Sequence, residues 1–243
     1  MPPVIILNNI SVRYHAPEEV INTFKEYAIQ ILKRNIRFRE FKALNNIDLQ
    51  INEGEILGII GRNGAGKSTL LKVVSRVLIP TEGRVRIRGV VSPLLELGAG
   101  FHPELTGREN IFLNGTLLGH SRREIESHLP EIIEFAELDT FIDSPLRTYS
   151  SGMVARLGFS VSTTWKPDIL ILDEILSVGD EAFRQKCQTR MKTYRDAGTT
   201  ILLVTHDSGT VNSLCSRAIW LDHGEIKAIG PAEEITNMYK RSQ

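Results

Sequence analysis

The nine residues GRNGAGKST, from Gly61 to Thr69, constrain the fold of this 243-residue chain more than any other stretch. They match the pattern G-x-x-x-x-G-K-[ST] and lie between an apolar run, EILGII, and an amphipathic helical pattern, STLLKVVSRVL. Glycines let successive backbone N–H groups close around phosphate oxygens, and the N-terminus of the following helix adds partial positive charge. Because an accidental glycine-rich turn is not expected in this strand–loop–helix setting, we predict a nucleotide site.

The individual residues of this loop have distinct predicted roles. Lys67 reaches the β- and γ-phosphates, and the Ser68 hydroxyl is placed to ligate Mg²⁺. The predicted nucleotide-binding residues of the loop are Gly61, Arg62, Asn63, Gly64, Ala65, Gly66, Lys67, Ser68 and Thr69.

A second motif, ILILDE, runs from Ile169 to Glu174. Its apolar residues predict a buried strand that delivers two carboxylates to its C-terminal end, where ligands bind in open α/β sheets. We expect Asp173 to complete the Mg²⁺ shell and Glu174 to orient the attacking water or take its proton. The alternative is that the two carboxylates cap the next helix. No guanine-reading [NT]-K-x-D motif follows, so ATP is favoured over GTP.

His206 ends another predicted buried strand, in the segment VTHD. A lone histidine at such a place is usually a packed core residue. Here it falls at the same predicted sheet edge as Lys67 and Asp173, which suits a contact with the γ-phosphate.

The amino-acid composition limits the kinds of partner and the cellular location that we expect for this chain. The chain has 29 Lys+Arg and 29 Asp+Glu residues, so no overall field favours nucleic acid. The two cysteines, Cys187 and Cys215, suit a reducing cytosol and are interpreted as small buried hydrophobes. The N-terminus lacks the pattern of a signal peptide, and no apolar run has the roughly 18–20 residues that span a bilayer. We therefore expect a cytosolic protein, with any membrane step performed by another chain.

Strand and helix patterns alternate at both ends of the chain, and the pattern turns helical from about 106 to 164. This order predicts a single α/β domain over 1–243, with a mainly parallel sheet and a helical subdomain at about 100–165. Ser121 and Glu124 have the spacing of a capping box.

The segment YSSGM, from Tyr149 to Met153, precedes an apolar-faced helical pattern. Serine at that place is most simply a helix cap. However, a P-loop, an S-x-G turn before a helix, a strand-end Asp-Glu and a strand-end His, in this order, resemble an ABC-type ATPase over residues 4–230. The resemblance implies a P-loop ABC cassette: a RecA-like, mainly parallel sheet with an antiparallel β part and a helical subdomain.

In that family the segment equivalent to YSSGM usually reads L-S-G-G-Q and faces the γ-phosphate held by the opposite subunit. Ser150, Ser151 and Gly152 keep the serine, the small residue and the glycine, whereas Tyr149 and Met153 depart from the pattern. The resemblance therefore implies that this turn binds phosphate in trans, in a homodimer of cassettes with ATP at the interface.

Other positions follow from the same resemblance. Tyr14 matches the aromatic residue that stacks on adenine, with an ordinary strand aromatic as the alternative. In SVGD, Ser177 and Asp180 match a loop that contacts the second subunit. The glutamine that the family usually supplies to Mg²⁺ and water is absent, and Glu96 or Leu97 stands in its place.

Three segments together, LLELGAGFHPELTGRENIFLNG, YSSGM and DEILSVGDEAF, look like the cassette of bacterial polysaccharide exporters. These move lipid-linked O-antigen, capsule or teichoic acid chains across the cytoplasmic membrane. The resemblance implies a separate transmembrane permease dimer and a peripheral location on the cytoplasmic side of the inner membrane. Many such exporters append a carbohydrate-binding β-sandwich, which we expect to be absent or removed in a chain that stops at Gln243.

Three alternatives remain. An importer subunit is the runner-up. A soluble ABC ATPase acting on DNA would insert a long coiled coil between Lys67 and Asp173, where this chain has only 173 − 67 = 106 residues, and ribosome-acting members carry two cassettes. A regulator that hydrolyses nothing is disfavoured by the intact set Lys67, Asp173, Glu174 and His206.

The stretch from about 17 to 41 is an insertion relative to the typical cassette. Apolar residues at three- and four-residue steps predict a helix, followed by cations that include Arg34, Arg37 and Arg39, interleaved with Phe38 and Phe41. Two interpretations stay open: a helix packed on its own cassette, or an element that rests against the membrane subunit or the anionic inner leaflet.

Overall fold

Two β-sheets and a helical unit form the part of the chain that the structure covers. The computed structural model describes residues 2–17, 38–94, 98–173, 180–205 and 207–242. The strands are β1 (Pro3–Pro17), β2 (Phe38–Asn52), β3 (Ile56–Ile60), β4 (Glu82–Ile87), β5 (Val91–Leu94), β6 (Ile169–Asp173), β7 (Thr200–Val204), β8 (Arg217–Asp222) and β9 (Glu225–Pro231). The α-helices are α1 (Lys67–Val74), α2 (Gly107–Leu117), α3 (Arg122–Ala136), α4 (Ser151–Ser162), α5 (Glu181–Asp196), α6 (Ser208–Leu214) and α7 (Ala232–Arg241).

The larger sheet has six strands in the order β5-β6-β7-β3-β8-β9. Neighbouring strands are parallel except β8 and β9, which are antiparallel. Every residue of β3 and of β7 is buried, as expected for strands that are covered on both faces. The apolar runs in the sequence are therefore central strands, and the predicted mainly parallel sheet is confirmed.

Residues that alternate along β3 enter two different cores. Leu57 packs in a core shared with α1 and the antiparallel sheet, whereas Ile56 packs in a core shared with α5, α6 and α7. Cys187 and Cys215 belong to the second core, and burial raises the pKa of both thiols to about 12. Both cysteines are buried, as the sequence predicts; Cys187 lies within α5, whereas Cys215 follows the last residue of α6.

The smaller sheet is antiparallel, in the order β2-β1-β4. The pairing of β1 with β2 runs from Pro3 opposite Asn52 to Pro17 opposite Phe38. The helix predicted over about 17–41 is therefore wrong at both ends, because Pro17 and residues 38–41 pair with each other in a β-ladder that overrides the local helical periodicity. Its remainder, with Arg34 and Arg37, lies outside the described residues.

Helices α2, α3 and α4 pack around a core of their own. Two capping boxes start helices in this unit: Thr106 with Glu109 at α2, and Ser121 with Glu124 at α3. The second is the box that the sequence predicts, and each box satisfies backbone N–H groups that have no partner within the helix. Among the helices described, none is long and apolar enough to cross a membrane.

Candidate functional site: a nucleotide loop at the edge of the parallel sheet

Strands β6, β7 and β3 end side by side at one edge of the parallel sheet. Asp173, the last residue of β6, is in register with Val204 of β7, and Val204 is in register with Ile59 of β3. Neighbouring strands lie about 4.8 Å apart, so the backbone of Asp173 is about 10 Å from that of Ile59. The loop after β3 thus begins at the edge where the ILILDE motif ends.

Two of the predicted catalytic residues, Glu174 and His206, lie outside the described residues, as does the side chain of Asp173. In the sequence, Glu174 follows Asp173 directly and His206 follows Val204 by two residues. Their roles therefore stay predictions, carried by the strands that precede them.

Glycines at both ends of the loop allow close approach to neighbouring backbone. A Cβ atom on Gly61 would lie 2.2 Å from the carbonyl oxygen of Leu221, and one on Gly66 would lie 2.5 Å from that of Ala43. Gly64 has φ of +80°, a conformation that side chains disfavour, and a Cβ there would meet nothing within 4 Å. The loop is therefore pressed against β8 and β2 at its ends and open at its middle, where a phosphate group has room.

Hydrogen bonds hold the loop in this shape. The amide of Ala65 donates to the carbonyl oxygen of Arg62 at 3.1 Å, and the amide of Gly224, in the turn between β8 and β9, donates to that of Ala65 at 2.9 Å. Arg62 and Asn63 are exposed at the mouth of the loop, whereas Ala65 is buried beneath it. The exposed residues are thus free to meet a ligand while the buried one anchors the turn.

Lys67 carries its positive charge against the loop. The side chain is buried, and its ammonium donates to the carbonyl oxygens of Gly61 at 2.7 Å and Arg62 at 3.0 Å. A buried ammonium is tolerated only with such partners, so this arrangement fixes a cation beside the loop. Ser68 and Thr69 follow in the first turn of α1, with Ser68 exposed and Thr69 half-buried.

The residues at this edge fit Mg²⁺. This ion usually keeps several waters and takes one or two protein oxygens together with phosphate oxygens. Ser68, exposed at the start of α1, and Asp173, the last residue of β6, are residue types that can supply such oxygens. The arrangement therefore suits an ion that arrives with a nucleotide.

Tyr14 lies on β1, with its side chain 41% exposed. Its strand neighbour β2 contributes the Ala43 carbonyl that lies against Gly66 of the loop. The structure thus places Tyr14 on the sheet that flanks the loop, and its contact with adenine stays a prediction.

Ser150 is the N-cap of helix α4, and its hydroxyl oxygen accepts from the Met153 amide at 3.2 Å. The cap expected from the sequence therefore forms. Ser151 is exposed, and a Cβ atom on Gly152 would meet only the Ser150 hydroxyl oxygen, at 3.8 Å. The first turn holds no acidic side chain, so the partial positive charge of this helix end is open to an anion.

Tyr149, where the family pattern has leucine, is anchored to the same unit. Its hydroxyl donates to the carbonyl oxygen of Phe141 at 2.6 Å, and burial raises the pKa of the phenol. Gly107 makes room for it, since a Cβ there would lie 2.3 Å from the Tyr149 hydroxyl oxygen. The substitution of tyrosine for leucine therefore adds a tether that holds the turn in place.

Arg156, on α4, is a residue that sequence reasoning missed. Its guanidinium donates to Glu137 at 2.6 Å and to Asp180 at 2.5 Å, and lies 5.0 Å from the centre of the Phe183 ring. A cation on an otherwise apolar helix is the only sequence signal, and its partners, 19 and 24 residues away, follow no motif spacing.

Asp180, predicted at a subunit contact, is the N-cap of α5. Its carboxylate accepts from the Phe183 amide at 2.9 Å, and this hydrogen bond, with the Arg156 charge, lowers the pKa of the Asp180 carboxyl. Ser177 and the two residues at the missing glutamine position, Glu96 and Leu97, lie outside the described residues. The interface role of Asp180 stays a prediction.

The sequence of the chain is similar to those of several known proteins. A family described as ABC transporter matches residues 44–177. The chain is 45% identical to an O-antigen export system ATP-binding protein, RfbB, of Klebsiella pneumoniae, with 100% of this chain and 99% of the relative covered. It is 50% identical to the teichoic acids export ATP-binding protein TagH of Lactococcus lactis subsp. lactis (strain IL1403), over 84% of this chain and 43% of the relative.

Among solved structures, the chain matches the dimeric structure of MJ0796, a bacterial ABC transporter cassette. The TM-score is 0.73 at 25% identity, and the match covers 94% of this chain and 98% of that one. The fold described above is therefore similar to that of a known cassette.

Proposed function

The chain belongs to the ABC transporter family as an ATPase cassette, and we propose that two copies of it drive export of a lipid-linked polysaccharide across the bacterial cytoplasmic membrane. The observation that carries the ATPase part is the loop geometry. A glycine loop pinned at both ends, open at Gly64 and holding the Lys67 ammonium, begins at the sheet edge where β6 delivers Asp173.

In the proposed reaction, water attacks the γ-phosphorus of ATP and the bond to the β,γ-bridging oxygen breaks. Lys67 and the loop amides bind the β- and γ-phosphates, and Ser68 and Asp173 would hold Mg²⁺, which neutralises charge on their oxygens. Glu174 takes the proton of the water or orients it, and His206 contacts the γ-phosphate. Ser68 exposed at the start of α1 and Asp173 at the end of β6 support the metal assignment.

We further propose that the active unit is a head-to-tail homodimer. Each chain has one glycine loop and one YSSGM turn. The open N-terminus of α4 at Ser150, Ser151 and Gly152 supports a contact with the phosphate bound to the other subunit, because a helix end without acidic neighbours attracts an anion. The dimeric form of the MJ0796 cassette is consistent with this arrangement.

The transported substrate is proposed from the relatives. Those reported above are named for export of O-antigen and of teichoic acids, two polymers of the same general kind. This chain would accordingly work with a separate transmembrane permease dimer, on the cytoplasmic face of the membrane. An importer subunit is the second candidate, favoured only by the features that all cassettes share.

The export proposal is tested in the source cells. Deletion of the gene, complemented with wild type or with Lys67→Ala, is followed by measurement of polysaccharide at the cell surface and of its lipid-linked precursor inside. We expect wild type to restore the surface polymer, and Lys67→Ala to leave it absent while the precursor accumulates. Normal surface polymer in the deletion strain, together with loss of uptake of a solute, would instead establish an importer.

A further inference from the structure

Two exposed aromatic side chains face each other across β1 and β2. Tyr14 is directly opposite Phe41 in the β-ladder, and the two side chains are 41% and 58% exposed. Residues directly opposite in an antiparallel pair project on the same face, with Cβ atoms about 4.5–5.5 Å apart. Tyr14 and Phe41 therefore project from neighbouring positions on the same face of the sheet, and are called the aromatic pair below.

The pairing and burial of residues along β1 and β2 show on which face of the sheet the aromatic pair lies. Val12 pairs with Leu44 and Arg13 pairs with Lys42, so Ala43 is the extra residue of a β-bulge. Val12 and Leu44 are buried in the core, whereas Arg13 forms an ion pair with Glu40 at 3.2 Å.

Because side chains alternate along a strand, Tyr14 lies on the same face as Val12, and Arg13 lies on the opposite face. The aromatic pair thus continues the core-facing row of Val12 and Leu44 outward, from buried to exposed positions.

This row leads away from the nucleotide loop. A Cβ atom on Gly66 would lie 2.5 Å from the Ala43 carbonyl oxygen and 3.0 Å from the Leu44 side chain. Phe41 is two residues beyond Ala43, which corresponds to about 7 Å along a strand. A nucleotide with its β- and γ-phosphates in the loop has its α-phosphate and ribose to extend over this distance, so its base can reach the aromatic pair.

We propose that Phe41 is a second base-stacking residue, and that it and Tyr14 together form the surface on which the purine of the bound nucleotide lies. This inference rests on the proposed ATP binding and adds a residue that the sequence pattern did not assign. Exposed apolar surface often marks a binding site. A flat purine ring would cover the two aromatic side chains that the protein itself leaves exposed.

The aromatic pair stacks on a base without reading its edge. Every purine offers a π-face, and neither ring of the pair presents an amide or carboxylate to the Watson–Crick edge. Phe41 therefore contributes to affinity for purine nucleotides in general, and the pair by itself does not separate adenine from guanine.

The test compares ligands with and without a base. Phe41→Ala and, as matched control, Lys42→Ala, the adjacent exposed residue on the other face of β2, are titrated with non-hydrolysable ATP and GTP analogues and with inorganic tripolyphosphate. We expect Phe41→Ala to bind both nucleotide analogues about 5- to 100-fold more weakly, with tripolyphosphate within twofold of wild type. Phe41→Trp should restore nucleotide affinity, and Lys42→Ala should match wild type.

Nucleotide affinity unchanged in Phe41→Ala would overturn the stacking role, as would an equal loss for tripolyphosphate. Neither result contradicts the proposed ATP binding, which fails if the wild-type chain does not bind the ATP analogue.

Discussion

The guanidinium of Arg156 donates to the carboxylate of Asp180 at 2.5 Å, and so joins helix α4, which begins at the YSSGM turn, to the N-cap of helix α5. The same guanidinium holds Glu137, the C-cap of α3. One side chain in the middle of α4 therefore ties together two helix ends, the C-terminal end of α3 and the N-terminal end of α5. Helix α4 itself starts at the turn proposed to meet ATP of the second subunit.

Replacing Arg156 with glutamine should lower ATP hydrolysis more than ATP binding. Loss of two charge-assisted hydrogen bonds costs about 1–3 kcal/mol and frees the α4–α5 junction, whereas the glycine loop is built from other elements. We expect a several-fold fall in the hydrolysis rate and monomer affinity for ATP within twofold of wild type. Arg122→Gln is the matched control, because Arg122 pairs with Glu126 within α3 and lies 5.5 Å from the centre of the Phe112 ring on α2. Equal hydrolysis in the two variants would remove the coupling role of Arg156.

The pH dependence of the free energy of unfolding should reflect the ion pairs at the same junction of α3, α4 and α5. Hydrogen bonding by Lys186 first, and then Arg156, lowers the pKa of the Glu137 carboxyl below its ordinary value of 4.5. A carboxyl whose pKa is lower in the folded state stabilises that state above its unfolded pKa and loses the contribution as pH falls through its folded pKa. We would measure the free energy of unfolding in urea for wild type and Arg156→Gln at pH 6 and at pH 3. The difference in this free energy between the two proteins should be smaller at pH 3. A difference that grew on acidification would contradict the assigned ion pairs.

Glu174→Gln tests the carboxylate that follows β6. An amide cannot take a proton from the attacking water, so hydrolysis should fall by roughly 10²-fold or more while ATP binding persists. With ATP retained, two chains should stay associated, which size-exclusion chromatography with and without ATP would detect. Turnover near the wild-type rate would rule out Glu174 as the general base.

Ser150→Arg tests the contact in trans. A long cation at the N-cap of α4 removes the hydroxyl that accepts from the Met153 amide and obstructs an approaching subunit. Hydrolysis and ATP-dependent dimerisation should be lost, and ATP affinity of the monomer should change little because the glycine loop is untouched. If monomer affinity fell as far as hydrolysis, the turn would be acting on its own subunit's nucleotide.

Met153→Gln asks whether the departure from the family pattern impairs the turn. The Ser150 cap uses the backbone amide of Met153, which glutamine retains, and the Met153 side chain packs at the edge of the helical core rather than within it. We expect the hydrolysis rate to stay within about threefold of the wild-type rate, because substitutions outside the core usually have small effects. Complete inactivation would place the Met153 side chain at the subunit contact.

The sequence determined the central strands, the glycine loop and the helix starts. Runs such as ILILD and TILLV have no helical periodicity and must be buried on both faces, so they predict the parallel sheet directly. The loop was predictable because Gly61, Gly64 and Gly66 stand where a positive φ or a close backbone approach disfavours a side chain, and the sequence shows the spacing of these glycines. Ser121 and Ser150 were predictable as caps because capping is satisfied within four residues.

Contacts between residues far apart in the chain were decided only by the tertiary structure. The inserted helix is predicted to reach about residue 41, yet the ladder with β1 makes Phe41 a strand residue opposite Tyr14. The hydrogen bonds of a strand come from a partner that is distant in sequence, which the local pattern does not reveal. The sequence likewise shows Arg156 only as a cation in a predicted helix, and its contacts with Glu137 and Asp180 are seen only in the tertiary structure. The spacing of residues in the sequence predicts hydrogen bonds and burial within one element. Contacts between residues that are distant in sequence depend on which elements pack together in the cores.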